Sequence, residues 1–203
     1  MENKRRTQAE RSATTSAALK AAARRLWAAR GFGDVGTPEI AAAAGVTRGA
    51  MYHQFADKVA LFVAVLDDIE REVMQRLIEA VDGAQPDSPA AALHIAVDAW
   101  LEVCLDPEVH RLMLLDAPSV LGWARFRELT RQYSLGLTEQ LLTEAIGAGQ
   151  LPDQPTRPLA HILIGALDEG ALVIATATDR EHASAEVHDV LHRLVGALVG
   201  PAT

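Results

Sequence analysis

Between Thr37 and Phe55 the sequence reads TPEIAAAAGVTRGAMYHQF, and its polar side chains are of the types that meet nucleic acid. The guanidinium of Arg48 has the fork geometry to donate two hydrogen bonds to guanine O6 and N7, a pair that discriminates against a wrong base by about 1–3 kcal/mol. Gly49 and Ala50 follow it without bulk, so a backbone there could approach base edges closely. Thr47 precedes this group and His53 follows it. Thr37, Tyr52 and Lys58 offer two hydroxyls and an ammonium suited to phosphate oxygens. The charge is distributed accordingly. Residues 1–58 carry ten Lys/Arg against five Asp/Glu, net +5, while residues 59–203 carry nine against twenty-two, net −13. Phosphate binding needs local positive charge, not a basic whole chain.

Other reactive residues are fewer and less convergent. Asp168 and Glu169 fall in an apolar helix, where acids are costly unless paired or solvated. They could bind a cationic ligand, or pair with Arg125, Arg127 or Arg131 across a dimer. Asp116, beside Pro118, raises the same choice. His188 and His192 stand at i, i+4, a spacing that permits a shared metal; with no third converging ligand in view, and Asp189 pointing elsewhere on the helix, no metal is assigned. Cys104 is the single cysteine, so no internal disulfide forms, and it reads as a small buried hydrophobe. No nucleophile with a base, glycine-rich phosphate loop or metal set is visible, so neither an enzyme nor a cofactor is expected.

Helices must position these groups, because strand signals are almost absent. In TTSAALKAAARRLWAAR, from about Thr14 to Arg30, Leu19, Ala22, Ala23, Leu26 and Trp27 share one face. Thr37 caps a short helix with Pro38 at its first position, running to about Ala44. Gly45 makes a turn, and Thr47 caps the next helix, to about Phe55. Ile40, Val46 and Met51 are spaced to form a small core between the two. A glycine between helices also makes an ordinary hairpin. The small residues, threonine caps, Arg48, Tyr52 and flanking charge together specify a helix-turn-helix. Asp57 then caps a long helix over about 58–82, with a stripe of Leu61, Phe62, Val65, Leu66, Ile69, Val73, Leu77 and Ile78. Further helices are expected at 89–104, 123–147, 158–178 and 182–199, with a shorter apolar stretch at 107–115 and an interruption at Pro118.

The segments TTSAALKAAARRLWAARGF and TPEIAAAAGVTRGAMYHQFADKVALF resemble the N-terminal signature of the TetR family of bacterial one-component repressors. That signature has a helix ending in Gly-Phe, an Ile-Ala-x-x-Ala-Gly-Val hinge, Gly-Ala-x-Tyr on the recognition helix and a lysine opening the fourth helix. The match covers about residues 11–66; Gln54 and Gly36 depart from it. The resemblance implies that Thr37, Tyr52 and Lys58 contact phosphates of double-stranded DNA, and that Thr47, Arg48 and Ala50 read bases. It also implies an all-α chain divided into a helix-turn-helix domain with a basic N-terminal arm (1–58) and a helical regulatory and dimerisation domain (59–203).

A small-molecule inducer and a homodimer follow from the same resemblance. The pocket residues expected are Trp100, Cys104, His110, Met113, Trp123, Phe126, Tyr133, Leu167, Asp168 and Ala171. The dimer is expected through 158–178, apolar on most faces, and 182–199, which supplies Val187, Val190, Leu191, Leu194, Val195 and Leu198. No apolar run reaches the roughly 18 residues of a membrane span. MENKRRTQAERS has no apolar signal core, so a cytoplasmic protein is expected.

Overall fold

A helix starts where the orphan N–H groups of its first turn find acceptors, and this chain supplies side-chain oxygens at most of its starts. The computed structural model describes residues 7–199. The arm residues Lys4, Arg5 and Arg6 lie outside them. Helix α1 (Gln8–Arg30) begins earlier than the expected Thr14 because Thr7 and Glu10 form a capping box. Helix α2 (Thr37–Ala43) is capped by Gly36, not Thr37, which is the first helical residue. In α3 (Arg48–Gln54) Thr47 caps as expected, accepting from Ala50 N at 3.1 Å. Asp57 does the same for α4 (Lys58–Ala84), accepting from Ala60 N at 2.7 Å.

Helix α5 (Pro89–Leu105) follows, then α6 (Pro107–Val109), a π-helical stretch (His110–Asp116) and α7 (Ala117–Leu121) in one continuous run. The expected break at Pro118 does not occur. Proline has no N–H to give, and the wider π turn ahead of it, closed by Ala117 N bonding Leu112 O, takes it in. The chain turns instead at Gly122, whose φ of +75° favours glycine. Helices α8 (Trp123–Gly147), α9 (Thr156–Thr176) and α10 (Arg180–Leu198) complete the described chain, the last two within two residues of expectation.

The helices pack into two main apolar clusters. One joins Leu19, Trp27, Ile40, Met51 and Phe62 of α1–α4 to Val103, Met113 and Phe126. Its core therefore runs unbroken across residue 58. The other gathers α5, α8, α9 and α10 around Leu142, Ala160 and Ile174. By length and mean hydropathy α9 is long and apolar enough to cross a membrane, although His161, Asp168 and Glu169 interrupt its apolar run. Its inner face is instead packed against α8, α10 and α5.

Candidate nucleic-acid interface and ligand cavity

The turn between α2 and α3 is set by Gly45 at φ +68°. Behind it Ile40 and Met51 are fully buried, with Val46 partly so. This small core fixes α3 with its N-terminal face outward. Thr47, Arg48, Gly49 and His53 are all exposed; Ala50 is partly covered. Tyr52 is half exposed, its hydroxyl 3.2 Å from that of Thr37. Thr37 first, and then the nearby Arg48, hold the phenol below its usual pKa. Thr37, Arg48 and Tyr52 thus form one hydroxyl-and-guanidinium patch. Lys58 is placed differently from expectation: its ammonium donates to Phe32 O at 2.5 Å and sits 4.0 Å over the Phe32 ring. Burial lowers its pKa, with Asp116 and Asp34 opposing. The departure at Gln54 has a packing reason, since its amide donates to Ser12 Oγ at 2.9 Å and ties α3 to α1.

The head is bound to the rest by charge as well as by core. Arg24 of α1 pairs with Glu72 of α4 at 2.6 Å and Glu108 of α6 at 2.5 Å. Lys20 pairs with Asp68 at 2.5 Å. Asp116 is engaged with the head too: it accepts from Phe32 N at 2.8 Å and lies 3.6 Å from Arg111.

A cavity of about 90 Å³ lies between α4, α5, α8, α9 and α10. Of the ten expected pocket residues, Trp100, Leu167 and Asp168 line it. The other seven do not. Met113 and Phe126 are core, and Cys104 packs with Ala171 and Leu114. His110 is buried against Ala175 O at 3.0 Å. Tyr133 donates to Asp67, and Trp123 is 43% exposed. Burial pushes the Cys104 pKa well up, which keeps it an inert thiol.

The sequence reading missed the polar lining. Glu70 of α4 is 4% exposed and lines the cavity, as do Thr130, Ser134 and Thr138 of α8. A signal existed: Leu66, Glu70, Val73 and Leu77 share one face of α4, so an acid occupies a core position, and the three hydroxyls recur every fourth residue. Burial, reinforced by the charge of Asp168, raises the Glu70 pKa to about 8. Burial also raises Asp168 to about 6, against the pull of Arg127 and Arg131 of the same chain. Glu169 is exposed.

An exposed short helix presented by a glycine turn, on a larger helical body, defines a helix-turn-helix DNA-binding regulator. Comparison with known proteins places it more closely. Residues 19–65 match the model of bacterial regulatory proteins of the tetR family, and residues 90–198 match a tetracyclin repressor-like C-terminal domain. The chain belongs to the TetR family of transcriptional regulators, which are not enzymes. It is similar to a TetR-family regulator from Pectobacterium atrosepticum, at 32% identity and a TM-score of 0.86, covering 98% of this chain and 100% of that one. It is also similar to the HTH-type transcriptional regulator AcrR of Shigella flexneri, 30% identical over 171 residues, or 79% of this chain and 78% of that protein. The Transposon Tn10 TetC protein of Escherichia coli is 26% identical over 167 residues, 81% of this chain and 82% of that one.

Proposed function

We propose that the chain is a homodimeric repressor of a near-palindromic operator, released by a small-molecule inducer that enters the α4–α10 cavity, and that it acts in the cytoplasm. Thr47, Arg48, Gly49 and Ala50 face the bases, with His53 beside them; Thr37 and Tyr52 face phosphates. Lys58 reaches a phosphate only by leaving Phe32. Exposed Ile162 and Val173 of α9, with Val190 and Leu194 of α10, make an apolar surface that a second copy would cover. Two-fold pairing of the heads then requires two related half-sites.

The observation that carries the inducer is the size of the cavity together with its walls. At about 90 Å³ it is smaller than the ~150 Å³ apolar cavity that accepts benzene in another protein. A ligand of even one ring must push its walls apart. One wall is α4, which starts at Lys58 in the head and carries Glu70 at the cavity. A ligand that fits only the widened state selects it, and the two heads change spacing. The lining favours an apolar body with a basic nitrogen. Asp168 is mostly ionised at neutral pH, and Glu70 holds a proton it can donate or lose.

The test is a panel of single-ring amines and their neutral isosteres, titrated against protein bound to its operator. The expected result is release by amines, weakened in Glu70→Gln. If compounds that bind the protein leave its DNA affinity unchanged, the inducer half of the proposal fails.

A further inference from the structure

Two helices that meet side by side bring their i, i+4 pairs together. His94 and Asp98 form such a pair on α5, and His188 and His192 form one on α10. Asp98 Oδ1 lies 2.6 Å from His192 Nε2 and 3.1 Å from His188 Nε2. The rings of His188 and His192 stack with centroids 4.1 Å apart, which sets both Nε2 atoms beside the same carboxylate, with His192 hydrogen-bonded to it. The three ligand atoms all lie within 4.8 Å of one another. Asp98 is the third converging group that sequence spacing could not show, because it comes from a helix about ninety residues away.

The outer nitrogen of His192 also has a partner. His192 Nδ1 is 2.9 Å from His94 Nδ1, and His188 Nδ1 is 3.5 Å from Asp189 Oδ1. Asp189 brings no oxygen into the three-atom cluster, as its place on the helix predicts. Ligating imidazoles are oriented by a partner on the other ring nitrogen, and loss of that partner weakens metal affinity. We propose that Asp98, His188 and His192 bind a divalent transition metal, with His94 as a positioning residue and the fourth position left to water.

Two imidazoles and a carboxylate suit Zn²⁺, Co²⁺ or Ni²⁺; Mg²⁺ and Ca²⁺ take oxygen ligands. Bonds of about 2.0–2.2 Å to zinc require the carboxylate to draw back slightly from both rings. Each ring then turns its lone pair at Nε2 to the metal and carries its hydrogen at Nδ1. His192 donates that hydrogen to His94.

The site stays open in the proposed dimer. At about 100° per residue, His188 and His192 flank the buried Leu191–Val195 face of α10 on one side. Val190 and Leu194 flank it on the other. Binding would pin α5 to α10, two walls of the cavity, and so oppose its widening.

The test uses the full chain, tag removed and stripped with chelator. Zn²⁺ is titrated in competition with a chromophoric chelator, and Co²⁺ is added separately for its visible d–d bands. One Zn²⁺ per chain and tetrahedral-type Co²⁺ bands are expected, both lost in Asp98→Asn and in His192→Gln. His94→Ala, outside the ligand set, should weaken Zn²⁺ about 10–100-fold. Circular dichroism checks that the variants fold. Wild-type protein without Co²⁺ bands, or folded variants that bind Zn²⁺ as wild type does, would overturn the site. Neither result bears on operator binding, which is measured separately.

Discussion

Arg48 is exposed at the first turn of α3, with Thr37 and Tyr52 alongside it. Its predicted role is discrimination, worth about 1–3 kcal/mol per bidentate contact. Arg48→Ala should weaken the operator by about tenfold or more per half-site and relax preference at one symmetric position. Competition binding against operators altered at that position measures both. Glu70 supplies a second prediction at this scale. Its pKa is about 8 when folded, against an ordinary 4.5, and Asp168 moves from 3.8 to about 6. Both are raised, so the folded state holds more protons than the unfolded state between each pair of values. Stability then falls as pH rises, by about 1.4 kcal/mol per pH unit for each group inside its window. The melting temperature should decline from pH 5 to pH 8, and Glu70→Gln should flatten the slope above pH 6. A melting temperature that rises over that range would contradict the burial of an unpaired Glu70.

The hinge and the caps act at the scale of the element. Gly45 sits at φ +68° with open space where a Cβ would go. Gly45→Ala therefore meets no clash, only the left-handed backbone, costing roughly 1–2 kcal/mol. Asp57→Ala removes the cap of α4 and should cost about 0.5–2 kcal/mol. Chemical denaturation reads both. These elements were legible in sequence because they rest on local rules: Thr47 and Asp57 cap, Gly45 turns, and the inner face of α1 repeats at helical spacing. Thr37 was misplaced as a cap because its hydroxyl is bound to Tyr52, a contact between helices. Pro118 was misread as a break because a π turn absorbs a missing donor without a sequence mark. The pocket residues were poorly legible for a related reason. Aromatic and apolar side chains such as Met113 and Phe126 fill core as readily as cavity, and only packing separates the two. Glu70, by contrast, could have been found as an acid on an apolar stripe. Asp98 could not, since its meeting with His188 and His192 is tertiary.

At the scale of the molecule, one continuous core and the Arg24 and Asp116 contacts join the head to the body. On the proposed function, a shift of α4 would carry into α1–α3 through that core. The exposed apolar surface on α9 and α10 should hold two copies together. Ile162→Glu combined with Val173→Glu is expected to give a monomer in analytical ultracentrifugation, with operator affinity lost while each head stays folded. On the proposed function, α3 reads DNA through Arg48 in a two-fold pair. Selection from random duplexes at moderate salt, run on the wild-type chain and on Arg48→Ala side by side, tests it most directly. A near-palindromic motif that loses preference at one symmetric position in the variant is the predicted result. No enrichment, or the same motif at the same strength from Arg48→Ala, would contradict it.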